Sequence, residues 1–452
     1  IRALADLLGA PAADLPDVGV TGVTLDSRAV VAGDLYAALP GARAHGADFV
    51  AAAAASGAVA VLTDADGARR VRDAGVDLPL LVVEGPRAVL GMVAATILGT
   101  DHLALRMLGI TGTNGKTTTA YLVHSALTAL GVSTGLIGTV ETRIGDERLD
   151  SVRTTPEAPE LHSVLAVMAQ RGLHTCVMEV SSHALAQHRV DGVVYDVVLF
   201  TNLSQDHLDF HAGMDDYFAA KASLFTPQRA RRGLVCVDDD WGRRLAVEAG
   251  IPVETIATVH AGSQEAAPGA DWLITVDAVD PAAFRLAGPG VDLHLRSRLP
   301  GDFNVTNTAM AAAALVLLGE DAVAVGEAVL TDPHVPGRME AVVGPEGAPR
   351  AVVDYAHTPE AVRAALTALR RPAMSDERTH PMTRGLILMT AAALALAGCT
   401  YPDGEPNRPA NGALIGGLTG AVLGTAIGKD DKGAIIGGVI GAAVGGAIGT
   451  QL

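Results

Sequence analysis

The chain has 452 residues, enough for roughly three domains. It is rich in Ala, Val, Leu and Gly and poor in aromatics, which favours parallel α/β layers over a β-sandwich. A formal net charge of −17 argues against a nucleic-acid-binding surface, so an anionic substrate needs local Arg, Lys or Mg²⁺. Cysteines are confined to Cys176, Cys236 and Cys399, with no zinc spacing and no disulfide framework, so the body reads as cytosolic. Cys176 lies in an apolar run and is expected in the core. Nothing at the N-terminus resembles a signal peptide, and Ile1 as first residue suggests a start further upstream.

Residues 1–100 read as a small α/β unit, in which Val23–Arg28 leads into Gly33–Leu39, Val59–Leu62 and Leu80–Val83. Residues 101–333 read as a second domain. It opens on the strand-like stretch Leu103–Ile110, the run Gly112-Thr113-Asn114-Gly115-Lys116-Thr117-Thr118, and a helix-like stretch to Leu130. A glycine-rich turn between strand and helix presents backbone N–H groups and a helix N-terminus to an anion. Lys116 is then placed for β/γ-phosphates and the Thr117 hydroxyl for Mg²⁺. The glycines fall at Gly109, Gly112 and Gly115, a spelling that fits neither the generic P-loop pattern nor a dinucleotide fingerprint. Further strands are expected at Cys176–Val180, Val197–Thr201 and Gly233–Val237, with antiparallel strands near Val291–Arg298 and a helix over Asn304–Leu318. Glu179 ends one strand and His207 follows the next. Ligands of an open α/β sheet sit at strand carboxyl ends, so both are candidate metal ligands.

Residues 334–371 begin a third unit, with a strand at Arg350–Val353 and a helix over Pro359–Leu369. Residues 372–381 are linker-like. Met382-Thr383-Arg384, the apolar run to Ala397 and then Gly398-Cys399 have the parts of a lipoprotein signal, with Cys399 as the lipidation candidate. Beyond it, over 400–452, glycines recur every fourth residue from Gly416 to Gly428 and from Gly433 to Gly449, the stripe of a glycine-zipper helical hairpin. A signal after some 380 residues of enzyme is not expected to work, so the simplest expectation is two coding sequences joined, the second starting at Met382. Mass spectrometry of the native gene product tests this.

Gly112–Thr118, Glu179–His183, Asn202–Asp209 and Tyr217–Lys221 together resemble the Mur ligases, the ATP-dependent amide-forming enzymes of peptidoglycan synthesis. Thr24–Arg28, Arg153–Glu157 and Glu179–Leu185 point to the MurE type, which adds the third stem-peptide amino acid, meso-diaminopimelate or L-lysine, to UDP-N-acetylmuramoyl-L-alanyl-D-glutamate. The resemblance covers residues 1–371. It implies a three-domain α/β architecture: a UDP-binding N-terminal domain, a P-loop ATPase domain and an incomplete Rossmann-like third domain. It makes Ser27 a contact to the uridine, and Thr154, Thr155, Ser181, Gln187 and Arg189 contacts to the muramoyl-dipeptide. Lys221 becomes the lysine carried as a carbamate that helps hold Mg²⁺; the plain alternative is a solvated helical lysine. Asn304 and Asn307 fall near the nucleotide, although Asn304 would also serve as a helix N-cap. Arg338 and Asp354 would approach ATP when the third domain closes. With Lys116, Glu179, His207 and Lys221 they make the implied catalytic set.

The signature Asp-Asn-Pro-Arg, which in this family grips the incoming amino acid, does not occur in the sequence. The expectation is therefore a chain that binds ATP and UDP-muramoyl-dipeptide but ligates poorly, with an exposed sheet edge in its third unit. Two alternatives stand beside it: a folylpolyglutamate synthase-like ligase, and a non-catalytic envelope lipoprotein represented by the tail. No nucleic-acid partner is expected, and membrane association only through residues 382–452.

Overall fold

The computed structural model describes residues 1–11, 15–261, 269–342, 351–370 and 387–390. The chain forms two compact units, Ile1–Val335 and a second from Pro336 onward.

The first unit opens with helix α1 (Arg2–Leu8) and a four-stranded, all-parallel sheet: β1 (Gly22–Thr24), β2 (Asp34–Ala37), β3 (Ala60–Thr63) and β4 (Leu80–Val82), paired in that order. Helices α2 (Val50–Ala55), α3 (Ala65–Asp73) and α4 (Pro86–Leu98) connect and cover it. Their ends follow local chemistry. The Asp64 carboxylate accepts the Gly67 N–H at the start of α3, and α4 begins on Pro86 and stops at Gly99 in the left-handed region.

An eleven-stranded sheet follows. Its strands are β5 (Arg106–Thr111), β6 (Thr134–Ile137), β7 (Glu141–Ile144), β8 (Glu147–Asp150), β9 (Thr175–Glu179), β10 (Tyr195–Phe200), β11 (Ala230–Cys236), β12 (Val253–His260), β13 (Trp272–Val276), β14 (Ala283–Gly288) and β15 (Val291–Arg296). The order is β15-β14-β13-β12-β11-β10-β5-β9-β6-β7-β8. The centre is parallel; β13–β15 at one end and β6–β8 at the other are antiparallel. Every residue of β9 is buried, as are Met107–Thr111 of β5 and Val197–Phe200 of β10. That is the pattern of a strand covered on both faces. In β15, only Leu295 is buried, so one face meets water.

The covering helices are α5 (Lys116–Ala129), α6 (Ala158–Gln170), α7 (Ser182–Ala186), α8 (Met214–Ala222), α9 (Asp240–Glu248), α10 (Asp302–Leu317) and α11 (Ala322–Ala328). The run Ala311–Ala314 of α10 is fully buried in the core that also holds Tyr121–Val123 of α5; side chains this small let two helices approach closely. A second core gathers Leu161, Leu165 and Met168 of α6 with Cys176 and Met178 of β9. Cys176 is buried as expected, and burial pushes its thiol pKa up. The two sheets are joined tightly: a Cβ on Gly91 of α4 would lie 2.0 Å from the Asp191 carbonyl oxygen, so only glycine fits there.

β9 and β10 follow one another in sequence but flank β5 on opposite sides. The chain reverses its direction of travel across the sheet at this point. A crevice therefore opens at the carboxyl end of β5, where Gly112–Gly115 sits.

The second unit contains β16 (Glu340–Val342), β17 (Ala351–Asp354), helix α12 (Pro359–Arg370) and β18 (Ile387–Thr390). β17 pairs antiparallel with β16 and parallel with β18. β17 is thus the central strand of three, with β16 and β18 as the edge strands among the described residues, and one of its partners comes from the apolar run expected as a lipoprotein signal. A short apolar run serves either purpose; pairing satisfies the backbone groups of β17. Cys399 and the glycine repeats lie outside the described residues. Among the described residues, no helix is long and apolar enough to cross a membrane.

Two buried imidazoles make the stability pH-dependent. His124 of α5 is buried with Nε2 lacking a hydrogen-bond partner among the described residues, and burial lowers its pKa to about 4. Burial also lowers that of His162. The unfolded chain binds these protons near pH 6.5 and the folded chain only at lower pH, so stability is full above 6.5 and falls as pH drops toward 4. For His124 the loss reaches about 3 kcal/mol. Urea unfolding at pH 7 and pH 5 should show it, and His124→Leu should flatten the difference. An unchanged pH slope in that variant would refute the assignment.

Candidate active site

The phosphate-type loop is held open by its neighbours. Gly112 has φ +141° and Gly115 φ +88°, conformations that side chains disfavour. A Cβ on Gly112 would lie 2.0 Å from Thr201 Oγ1, and one on Gly115 2.5 Å from Asn307 Oδ1. Between them the backbone is pinned to the end of β10. Thr113 N–H donates to the Asn202 carbonyl (2.9 Å), and Asn114 N–H to Asn202 Oδ1 (2.9 Å). The Asn114 carbonyl accepts from Thr201 Oγ1 (2.6 Å) and Asn202 Nδ2 (3.1 Å). Gly112→Ala should therefore distort the loop and weaken nucleotide binding by at least about tenfold, measurable by titration calorimetry.

Two lysines converge on this loop. Lys116 Nζ donates to the carbonyls of Gly112 (2.9 Å) and Thr113 (2.8 Å). Lys221 Nζ, from α8, donates to the same Gly112 oxygen (2.8 Å) and lies 4.6 Å from the centre of the Tyr217 ring. Lys221 is 1% exposed, which removes the reading of a solvated helical lysine. Burial, reinforced by the charge of Lys116, pulls its pKa well below the ordinary value.

Glu179 ends β9 and is 1% exposed. Its carboxylate accepts from Thr117 Oγ1 (2.9 Å), Thr139 N–H (2.8 Å) and Thr139 Oγ1 (3.1 Å). Gly138 makes the room: a Cβ there would meet Glu179 Oε1 at 2.5 Å. Thr139 was not singled out by its sequence context. Its signal is position, since it follows the carboxyl end of β6, the strand beside β9.

His207 lies on the Lys side of the loop, with φ +54° and its ring 4.8 Å from that of His183. Burial lowers its pKa, and the charges of Lys116 and Lys221 lower it further against the opposing pull of Asp206. A neutral imidazole keeps a lone pair for a metal. Among the described residues no three His, Cys, Asp or Glu side chains gather closely enough to cage a metal. That donor set suits Mg²⁺, which is held by one or two carboxylates plus substrate phosphates.

The expected acceptor-side residues form a second cluster. Thr155 Oγ1 donates to the Glu179 carbonyl (2.8 Å) and accepts from Ser181 N–H (3.1 Å). Thr154 Oγ1 and Thr139 Oγ1 are 3.1 Å apart. Arg189 donates to Gln187 Oε1 (2.5 Å) and the Thr155 carbonyl (3.3 Å), and pairs with Glu157 (2.9 Å). Glu157 also binds Arg87 of α4 (3.0 Å), a tie between the two sheets that the motifs did not reveal. Ser27 follows β1 and lies apart in sequence from this cluster, on the loop where Asp26 holds Arg28. Asn304 is not an N-cap: α10 is capped at Gly301, and Asn304 instead accepts from Asn307 Nδ2 (3.0 Å) and donates to the Pro300 carbonyl (2.7 Å). Thr118 is the third residue of α5 and buried.

Arg338 and Asp354 lie in the second unit. The Arg338 guanidinium stacks 4.6 Å from the Tyr355 ring centre. Asp354 accepts the N–H groups of Met339 (2.8 Å) and Ala356 (2.9 Å).

A sheet with a parallel centre and a lysine-bearing glycine loop at its switch point, and a buried carboxylate on the loop's threonine, defines a nucleotide-binding enzyme of the phosphate-loop class. Family profiles narrow this: the Mur ligase middle domain matches residues 110–315 and the Mur ligase family catalytic domain residues 19–97. The chain belongs to the Mur ligase family. It is 55% identical over 372 residues to the UDP-N-acetylmuramoyl-L-alanyl-D-glutamate--2,6-diaminopimelate ligase of Streptomyces coelicolor, covering 81% of this chain and 71% of that one. It is 44% identical to the ligase of the same name from Corynebacterium glutamicum, over 80% of this chain and 70% of the relative. A solved structure of a UDP-N-acetylmuramoyl-L-alanyl-D-glutamate--2,6-diaminopimelate ligase superposes with a TM-score of 0.65 at 28% identity, covering 80% of this chain and 72% of that one. Folylpolyglutamate synthase from Mycobacterium tuberculosis shares only the fold, at 17% identity. Residues 382–452 match the YMGG-like Gly-zipper, beginning at the Met382 where a second coding sequence was expected.

Proposed function

We propose that the chain binds ATP with Mg²⁺ on the Gly112–Thr118 loop and is a ligase of meso-diaminopimelate to UDP-N-acetylmuramoyl-L-alanyl-D-glutamate, impaired in the ligation step by the absence of the Asp-Asn-Pro-Arg signature. The observation that carries this is the convergence of Lys116 and Lys221 on the Gly112 carbonyl, beside a Glu179–Thr117 pair, in a chain so similar to ligases of that name. A carboxylate is a poor acylating agent because oxide is a poor leaving group. The D-glutamyl γ-carboxylate oxygen attacks the γ-phosphorus of ATP, ADP leaves, and an acyl phosphate forms. The amine of the second substrate then attacks the acyl carbon, phosphate departs and the amine proton is lost.

Lys116 stabilises charge on the transferring phosphoryl group. Thr117 and Glu179 would hold Mg²⁺, with His207 as a further ligand; the ion would neutralise charge on the phosphate oxygens. Lys221 is read as a carbamate precursor. Its buried amine is biased toward the neutral form, which can add to CO₂ through nitrogen and lose a proton, giving an anionic oxygen ligand. Asn304 and Asn307 line the nucleotide side. Ser27 would contact the uridine, and Thr154, Thr155, Ser181, Gln187 and Arg189 the muramoyl-dipeptide. Arg338 and Asp354 are read as ATP contacts.

An ADP-release assay tests the reading. We expect release that requires the UDP-muramoyl-dipeptide and rises only weakly with meso-diaminopimelate or L-lysine, because the Asp-Asn-Pro-Arg signature is absent; robust amino-acid-dependent turnover would refute that impairment. ATP hydrolysis indifferent to the dipeptide would overturn the reading. The tail is proposed as a separate zipper module, on the strength of the profile match from Met382. Palmitate labelling at Cys399 tests its lipoprotein character, and loss of label in Cys399→Ser is the expected control.

A further inference from the structure

A chain of three side chains joins the short helices α7 and α8, which pack against each other. His211 has a side chain 1% exposed. Its Nε2 is 2.9 Å from Ser182 Oγ, at the start of α7, and its Nδ1 is 3.1 Å from Asp216 Oδ2, in the first turn of α8. Asp216 Oδ2 also accepts the Ala212 N–H (3.2 Å). Three rings close around the imidazole: Tyr217 of α8 at 5.0 Å, Phe210 at 4.9 Å and His183 of α7 at 5.8 Å. The order Ser–His–Asp has the hydrogen-bond logic of a hydrolase triad. Ser182 is only 1% exposed, so the arrangement presents no nucleophile.

What the three residues connect gives the arrangement its meaning. α7 follows Ser181, which is bonded to Thr155, and leads into the Gln187–Arg189 segment. α8 carries Tyr217, whose hydroxyl is 3.1 Å from Thr113 Oγ1, and Lys221, which grips Gly112. One imidazole therefore bridges the elements behind the acceptor cluster and behind the phosphate loop.

We propose that His211 is a positioning residue that locks α7 to α8, so that the Thr155–Arg189 cluster and the Gly112–Thr118 loop keep one fixed separation. Its use in ligation rests on the function proposed above; the mechanical link does not. With Asp216 accepting from Nδ1–H, Nε2 accepts from the Ser182 hydroxyl, and both ring nitrogens are partnered. Without the ring, the buried Ser182 hydroxyl is left open, the exposed Asp216 carboxylate loses its imidazole partner, and two short helices lose their common strut.

Hydrogen exchange of the full chain, free of ligand, tests the link. In His211→Gln and in the gentler Ser182→Ala, we expect amides of 112–118 and 182–189 to exchange roughly tenfold faster together, while those of β5, β9 and β10 stay unchanged. The double variant should be no worse than His211→Gln alone, since both remove the same bond. Faster exchange confined to 182–189 in both variants, or additive effects in the double variant, would overturn the proposal. Calorimetry separates the two readings. If the wild type fails to bind UDP-muramoyl-dipeptide, the functional reading falls and the exchange result still decides the link. If it binds, a non-hydrolysable ATP analogue should change dipeptide affinity about fivefold or more in the wild type and less than about twofold in Ser182→Ala. Equal coupling in both proteins would also refute the proposal.

Discussion

Lys116→Met is expected to abolish ATP-dependent turnover, by about a thousandfold or more, while leaving the fold intact. The ammonium rests on two loop carbonyls, Gly112 and Thr113, so the side chain is already folded back over the surface where phosphates would bind. Methionine keeps most of the stem volume and removes the charge. A charge-assisted hydrogen bond contributes about 1.5–3 kcal/mol, so nucleotide affinity should fall roughly ten- to a hundredfold. The larger loss belongs to turnover, because charge on the transferring phosphoryl group grows between ground state and transition state. Titration with an ATP analogue and the ADP-release assay measure the two separately. A variant that binds nucleotide normally and turns over within tenfold of wild type would remove Lys116 from the mechanism.

Lys221→Met should separate function from stability, and in opposite directions. The wild-type amine sits among buried groups, near the like charge of Lys116, and these depress its pKa. Replacing it with an apolar side chain of similar length relieves that desolvation, so the thermal midpoint should hold or rise by a few degrees. Turnover should nevertheless fall by about a hundredfold or more if the residue supplies an anionic ligand. Wild type incubated with ¹³C-bicarbonate should show a carbamate carbon resonance that is missing in Lys221→Met. Loss of activity with no carbamate signal in the wild type would leave Lys221 as a hydrogen-bond anchor for Gly112. Full activity in the variant would exclude it from the site.

The glycine loop and the strand–loop–helix frame around it were legible because both are local. Glycine is needed where φ is positive and where a Cβ would strike Thr201 or Asn307, and a run of buried residues spells a parallel strand whatever lies beside it. Strand boundaries shifted by one to three residues, as with β5, which begins at Arg106 rather than Leu103 and runs to Thr111. Asn304 looked like a cap on type alone; its place one turn inside α10 was decided by Gly301. The apolar run after Met382 was ambiguous because a strand and a signal core share one composition, and β17 offered it an edge.

By itself the sequence determined the residue types: which glycines bend, which lysines and carboxylates exist to do chemistry, and which runs must be buried. Those requirements are met within a few residues along the chain. Only the tertiary structure decided which of them meet. Lys116 and Lys221 are far apart in sequence yet share one carbonyl oxygen, and Glu179 finds its partners in Thr117 and Thr139 from two other segments. The reason is the strand order. β9 and β10 fall on either side of β5, and that crossing, set by the packing of helices on both faces of the sheet, brings the ends of distant segments to one loop.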